Sequence, residues 1–470
     1  MADLMFNHGR QFGQAFAYHF LFAPYVLADW VLAALVRLLG AAWATRLFAV
    51  LVFLSLPAAL YAYLRAQRAG PGVTTTLLLI SLYLSTDTFF VLGFLSFRLG
   101  VAVLLLTLAA ADPLSRHWSG PRYLVLVGMV VLAYLTHLAA LVFVAVALGI
   151  RALMRILLRV SSVGREFVLL LPIGCVGIWH FAIAAGYRQP ADQTAEHYIW
   201  GTAPTKAAGL LWEFLGYRSH WQALILTVFA LCLATLCVAP ARSLVNRSRR
   251  DGAPFSEPAM LEPLGIALAF LCVYIALPSS YSEASFVDVR AMALFWLFLI
   301  VGLARLHEWS VFEAPRAAAT AFSLAVLVSA LNLAYLGKQF RHDRAWLIQY
   351  RSVVAKVPKG STVLPIYTAV KRGVVRSSLH AASYVVSDRA ALIPYLFSGD
   401  RGDPMKYFRY ISRPYAPDEA WYGSHQPVDW KEVAGQYQFL LVMKPFDATH
   451  IPLKGRTVAE NQTAALVAIR

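Results

Sequence analysis

The chain has 470 residues, 59% of them hydrophobic and 14% charged, with a formal net charge of +16. A soluble protein of this size cannot hide that much apolar surface, and the period-two alternation of a membrane β-barrel is missing. What remains is an all-α polytopic membrane bundle, whose basic excess belongs to positive-inside loops and anionic lipid and calls for no nucleic-acid partner.

The first stretch, "MADLMFNHGRQFG", carries Asp3, His8 and Arg10. Residues 21–39 are apolar but hold Pro24, Asp29 and Arg37. They predict a juxtamembrane helix on the outer surface, with a full span as the alternative. About ten spans follow, at 46–65, 73–91, 94–111, 122–136, 138–152, 166–186, 218–239, 263–279, 289–306 and 316–337. Cys175, Cys232, Cys237 and Cys272 fall in these runs without metal-ligand spacing and read as packing residues. The matches to a glycosylation sequon at Asn246 and Asn461 are weak signals.

The stretch 122–152 reads either as one long helix or as a hairpin broken at Thr136–His137. Charge favours the hairpin. It gathers Arg65 and Arg68, Arg116 and Arg122, Arg151 to Arg165, Arg242 to Arg250, and Arg305 with Arg316 on one side. Asp192, Glu196, Glu283 and Asp288 then lie on the other. The outer face receives Asp87, Arg98 and His137, together with the N-terminus and everything beyond about residue 338. An outer N-terminus leads to the expectation that a further helix precedes Met1.

From residue 341 the composition changes. "RHDRAWLIQYRSVVAKVP" predicts a helix, and "KGSTVLPIY", "YQFLLVM" and "TAALVAIR" predict strands. The expected organisation is a transmembrane domain over 1–337 and a small extracytoplasmic α/β domain over 338–470.

Several residues could carry chemistry. Asp87 and Arg98 flank a turn near Gly93 and read either as an ion pair that pins two helices or as an acceptor-positioning acid with a phosphate-binding arginine. Arg290 opens a span at its outer mouth, where a guanidinium suits a lipid phosphate or simply snorkels. Asp3, beside His8 and Arg10, could act as general base on an incoming hydroxyl or amine, and the bland alternative is a frayed terminus. His137 caps the short hairpin. Glu196 lies in the longest outer loop, next to His197, Tyr198 and Trp200.

Taken together, the pattern resembles the GT-C superfamily of membrane glycosyltransferases, such as the aminoarabinose and protein mannosyl transferases. The residues that carry the resemblance are "APYVLADW", then "LGAAWATRLFAVL" with Gly40, Ala44, Arg46 and Leu47, then Asp87, His137 and "DVR" at 288–290. It implies an inverting transfer from a polyprenyl-phosphate sugar to a glycan, lipid or protein acceptor at the outer face of the membrane, and the Ala-, Arg- and Leu-rich composition with compact loops points to a bacterial inner membrane. The resemblance assigns the leaving phosphate to Arg290 together with Arg98, and His137, His8, Arg10 and Glu196 are the further candidates for substrate binding. It assigns the catalytic carboxylate to Asp3, with Asp87 as second choice. Some relatives use a divalent metal, and Asp3 and Asp87 are the pair that could share one. Relatives carry their catalytic acid after a first span; the expectation is that this span lies upstream of Met1, so that either Asp3 is the matching acid or that acid lies upstream as well. The rival classes are a transporter or flippase, which would need charges deep in several spans and repeat symmetry, and a non-catalytic envelope scaffold.

Overall fold

The structure, a computed structural model, describes residues 2–6, 9, 12–18, 22–185, 198–210, 220–247, 258–281, 284–285, 287–310, 315–366, 381–394, 408–412, 414–417, 428–444 and 451–469. In chain order these form α1 (Ala2–Phe6), β1 (Phe16–Tyr18), α2 (Val26–Leu39), α3 (Ala41–Ala66), α4 (Pro71–Leu84), α5 (Thr88–Val91), α6 (Leu95–Arg116), α7 (Gly120–Thr136), α8 (Leu138–Leu157) and α9 (Val163–Ala185). Next come β2 (Tyr198–Ile199), α10 (Ala203–Gly209), α11 (His220–Arg247), α12 (Pro258–Ala276), β3 (Ser280–Tyr281), β4 (Ala284–Ser285), α13 (Val289–Ser310) and α14 (Pro315–Val354). The last elements are β5 (Val363–Ile366), α15 (Ser383–Arg389), β6 (Phe408–Tyr410), α16 (Trp430–Gln436), β7 (Phe439–Met443), β8 (Arg456–Glu460) and β9 (Ala464–Ala468). They divide into two compact units. The helical unit is Phe22–Val31 with Arg46–Ala334, and the mixed unit is Met1–Leu21, Leu32–Thr45 and Tyr335–Arg470.

In the helical unit every expected span falls on a helix, with 73–91 shared by α4 and α5. The helices α3, α6, α8, α9, α13 and α14 are long and apolar enough to cross a bilayer, while α4, α7 and the apolar parts of α11 and α12 are shorter. The chain is a multi-pass membrane protein. The stretch 122–152 forms two helices, because His137 adopts extended dihedrals (φ −167°, ψ 134°) and its Nδ1 accepts the Ala139 N–H at 3.0 Å, capping α8. Large apolar side chains such as Phe167, Ile178 and Phe181 on α9 stay exposed, as hydrocarbon allows. Between helices, small residues permit close approach. A Cβ on Gly100 of α6 would lie 2.7 Å from the Ala140 Cβ of α8.

Charge within the unit is not confined to loops. At the end of α6 and α8 remote from His137, Asp112, Arg151, Arg155, Glu166 and Glu262 are all buried. Arg155 Nη1 donates to Glu262 Oε1 at 2.8 Å, Arg151 lies 3.5 Å from both Glu166 and Glu262, and Arg116 pairs with Asp112. The sequence pattern assigned Arg116, Arg151 and Arg155 to solvated basic loops. Three acids on α6, α9 and α12 instead draw them inward, because a buried guanidinium persists only with partners.

The mixed unit has a four-stranded sheet of order β5-β7-β9-β8, with β5 and β7 parallel and the other pairs antiparallel. Alternate residues serve opposite faces. Val363, Leu441, Met443 and Leu466 pack with Tyr350 and Val354 of α14 and Val385 of α15. Leu364, Ile366, Leu440 and Val442 pack with Val433 of α16 and with Tyr437. Both faces are covered, which is why β5 and β7 read as unbroken apolar runs. The boundary expected at 337/338 falls inside α14, which runs unbroken from Pro315 to Val354. The N-terminal segment also joins this unit, since β1 pairs antiparallel with β6.

Candidate functional site

The candidate site lies at the His137 end of the helical unit and starts from a turn. Asp87 is the N-cap of α5 and accepts the Phe90 N–H at 2.9 Å. The chain reverses at Gly93, whose φ of +83° a side chain would disfavour, and enters α6. Arg98, one turn in, reaches back. Its Nη1 donates to Asp87 Oδ2 and its Nη2 to the Leu84 carbonyl, both at 2.8 Å. Asp87 and Arg98 are almost fully buried, so these two charges hold each other and fix the α4–α5–α6 turn.

That turn presents Phe94 and Phe97. The Phe97 ring is wholly buried, centred 4.8 Å from Phe89 and 5.8 Å from His137. His137, buried as the cap of α8, meets the Tyr25 ring edge-on at 4.5 Å. Tyr25 has φ +74°, a left-handed conformation that costs a non-glycine residue about 1 kcal/mol. The Arg290 guanidinium, on the first turn of α13, lies over Phe94 at 5.4 Å and Phe97 at 5.9 Å. Both rings lie beside the guanidinium, and the planar fork of an arginine is the group that suits bidentate phosphate recognition.

Of the site residues expected from the sequence, the structure therefore brings Asp87, Arg98, His137 and Arg290 to one end of the helical unit. Asp3 belongs to the mixed unit, where its Oδ2 accepts the Phe12 N–H at 3.0 Å and its carbonyl accepts the Gly9 N–H at 3.1 Å. His8, Arg10 and Glu196 lie outside the described residues. Each Asp87 oxygen accepts a hydrogen bond, Oδ1 from the Phe90 N–H and Oδ2 from Arg98. No group of three or more His, Cys, Asp or Glu among the described residues could hold a metal ion.

Sequence reasoning missed Tyr25, Phe94 and Phe97 as the setting of Arg290. The signal was thin. Phe94 and Phe97 flank Arg98 in "GFLSFRLG", but aromatics at that spacing are common in any apolar helix.

No protein-family model matches the sequence, and neither does any curated protein. Solved structures do match. The aminoarabinose transferase ArnT from Cupriavidus metallidurans is similar in its apo state, with a TM-score of 0.52 at 11% identity. The same protein bound to undecaprenyl phosphate matches with a TM-score of 0.52 at 12% identity. Each alignment covers 100% of this chain and 92% of the ArnT chain. The chain has a GT-C-like fold, as its order of elements implies.

Proposed function

We propose that the chain is a membrane glycosyltransferase that takes a sugar from a polyprenyl-phosphate donor and passes it to an acceptor at the outer face of a bacterial inner membrane. The observation that carries this is Arg290, set on Phe94 and Phe97 at the mouth of a helix, in a chain that aligns from end to end with a transferase solved in complex with undecaprenyl phosphate.

Breaking the anomeric C–O bond leaves charge on the departing polyprenyl phosphate. A desolvated guanidinium meets two of its oxygens at once and lowers the barrier where that charge develops. The acceptor attacks the anomeric carbon from the opposite side and inverts it, while a carboxylate takes the acceptor's proton. Asp3 is the assigned base. Asp87 and Arg98 support the phosphate end by holding the turn that carries Phe94 and Phe97. His137 packs between Tyr25 and Phe97 beside that turn, and His8, Arg10 and Glu196 remain assigned to substrate contacts. The acceptor is a glycan, lipid or protein, and the mixed unit is periplasmic.

The test is native mass spectrometry of the chain in lipid nanodiscs, with and without added undecaprenyl phosphate. The parent should retain the lipid phosphate and Arg290→Ala should lose it. A parent that retains none at saturating lipid refutes the proposal.

A further inference from the structure

We propose that Lys206, on α10, is a positioning residue for Arg290; this rests on the reading in which Arg290 receives the donor's phosphate. Lys206 uses all three ammonium hydrogens. Nζ donates to the Tyr274 carbonyl at 2.9 Å, the Leu277 carbonyl at 2.7 Å and Asp288 Oδ2 at 2.6 Å. The Tyr274 carbonyl is in the last turn of α12 and the Leu277 carbonyl is one residue past its end, where the negative end of the helix dipole lies. The third acceptor stands one residue before α13. Asp288 Oδ1 in turn accepts the Val289 N–H at 2.8 Å, and Ser279 Oγ donates to Oδ2 at 3.0 Å. A single cation thus ties the end of α12 to the start of α13.

The lysine is itself held firmly. Tyr274 Oη donates to the Lys206 carbonyl at 2.6 Å, and the ammonium sits 4.8 Å from the centre of that ring. Trp296 Nε1 donates to the Leu210 carbonyl at 2.8 Å. At Gly209 a Cβ would overlap Tyr274 Oη, so α10 fits against α12 only without a side chain there. Upstream, β2 pairs with β3, and the Ser279 N–H donates to the Ile199 carbonyl at 2.8 Å. The segment 198–210 is therefore wired to the turn that carries Arg290.

The consequence is electrostatic. Asp288 is 3% exposed, and a carboxylate buried that deeply needs a cation. Lys206 is that cation, and it leaves Arg290 set over Phe94 and Phe97. Without Lys206, Asp288 becomes a buried anion whose neighbour two residues along the helix is Arg290. The guanidinium is then drawn toward Asp288 and away from an incoming phosphate.

Undecaprenyl phosphate binding to the full chain in nanodiscs tests this. Lys206→Met should weaken binding about tenfold, a loss of about 1.4 kcal/mol. Lys206→Met combined with Asp288→Asn should return to within about threefold of the parent, because the competing charge is gone. A lysine that only holds the loop in place predicts the reverse, with the double variant no better than the single. That result overturns the proposal, as does a Lys206→Met chain that binds like the parent while Arg290→Ala does not. If Lys206→Met fails to fold, the double variant decides alone, since tight binding by it supports the proposal and loss of binding overturns it. Should Arg290→Ala bind like the parent, the phosphate role of Arg290 is itself refuted and the role of Lys206 falls with it.

Discussion

The Asp87–Arg98 pair separates a structural charge from a catalytic one, and Asp87→Asn is the sharpest perturbation. Asparagine still caps α5 through its side-chain oxygen, so the bond to the Phe90 N–H survives and only the charge is lost. The ions stand 2.8 Å apart with side chains 4% and 1% exposed. At an effective dielectric near 20 their attraction is about 6 kcal/mol, against a desolvation cost of several kcal/mol per ion. The net worth of the pair is therefore small. Removing one partner strands the other, and that costs about 3–5 kcal/mol. For a unit of about 300 residues the unfolding entropy is about 0.6 kcal/mol/K, which converts the loss to a fall of about 5–8 °C in melting temperature. Adding Arg98→Met removes the stranded cation and should recover most of the fall. Thermal unfolding of the single, double and parent chains in one detergent measures the cycle. If Asp87→Asn melts with the parent yet loses all lipid-linked sugar transfer, the carboxylate acts on substrate and the pinning argument is wrong.

Two further perturbations probe the packing beneath the site. Glu262→Gln weakens the partnership of both Arg151 and Arg155 in the buried network and should cost about 3 kcal/mol, read as a lower melting temperature with undecaprenyl phosphate affinity unchanged. Gly100→Ala places a methyl 2.7 Å from Ala140, and the resulting overpacking of α6 on α8 should cost about 1–3 kcal/mol, again read by melting.

Much of the fold is legible in the sequence. Lipid offers the backbone no hydrogen bonds, so a span must be a continuous apolar helix, and continuity is a local property. The same locality reveals β5, β7 and β9, whose apolar runs lie under helices on both faces. It fails at β8, since "RTVAE" is mostly exposed and becomes a strand only by pairing with β9. It fails again at β1, which is a strand only because β6 lies beside it.

The charged residues were equally visible, but their partners were not. Asp87 and Arg98 are 11 residues apart, and their pairing was one of two readings open from the sequence. Lys206 meets Asp288 across 82 residues and Arg155 meets Glu262 across 107, and nothing in the intervening chain announces either contact. By itself the sequence determined where the long apolar helices run, that the chain spans a membrane repeatedly, and which residues carry charge. Only the tertiary structure decided which charges cancel in pairs and that Arg290 lies against Phe94 and Phe97. Hydropathy is a sum over neighbours in the chain, whereas the strength of an ion pair depends on distance and burial, which exist only once the helices have packed.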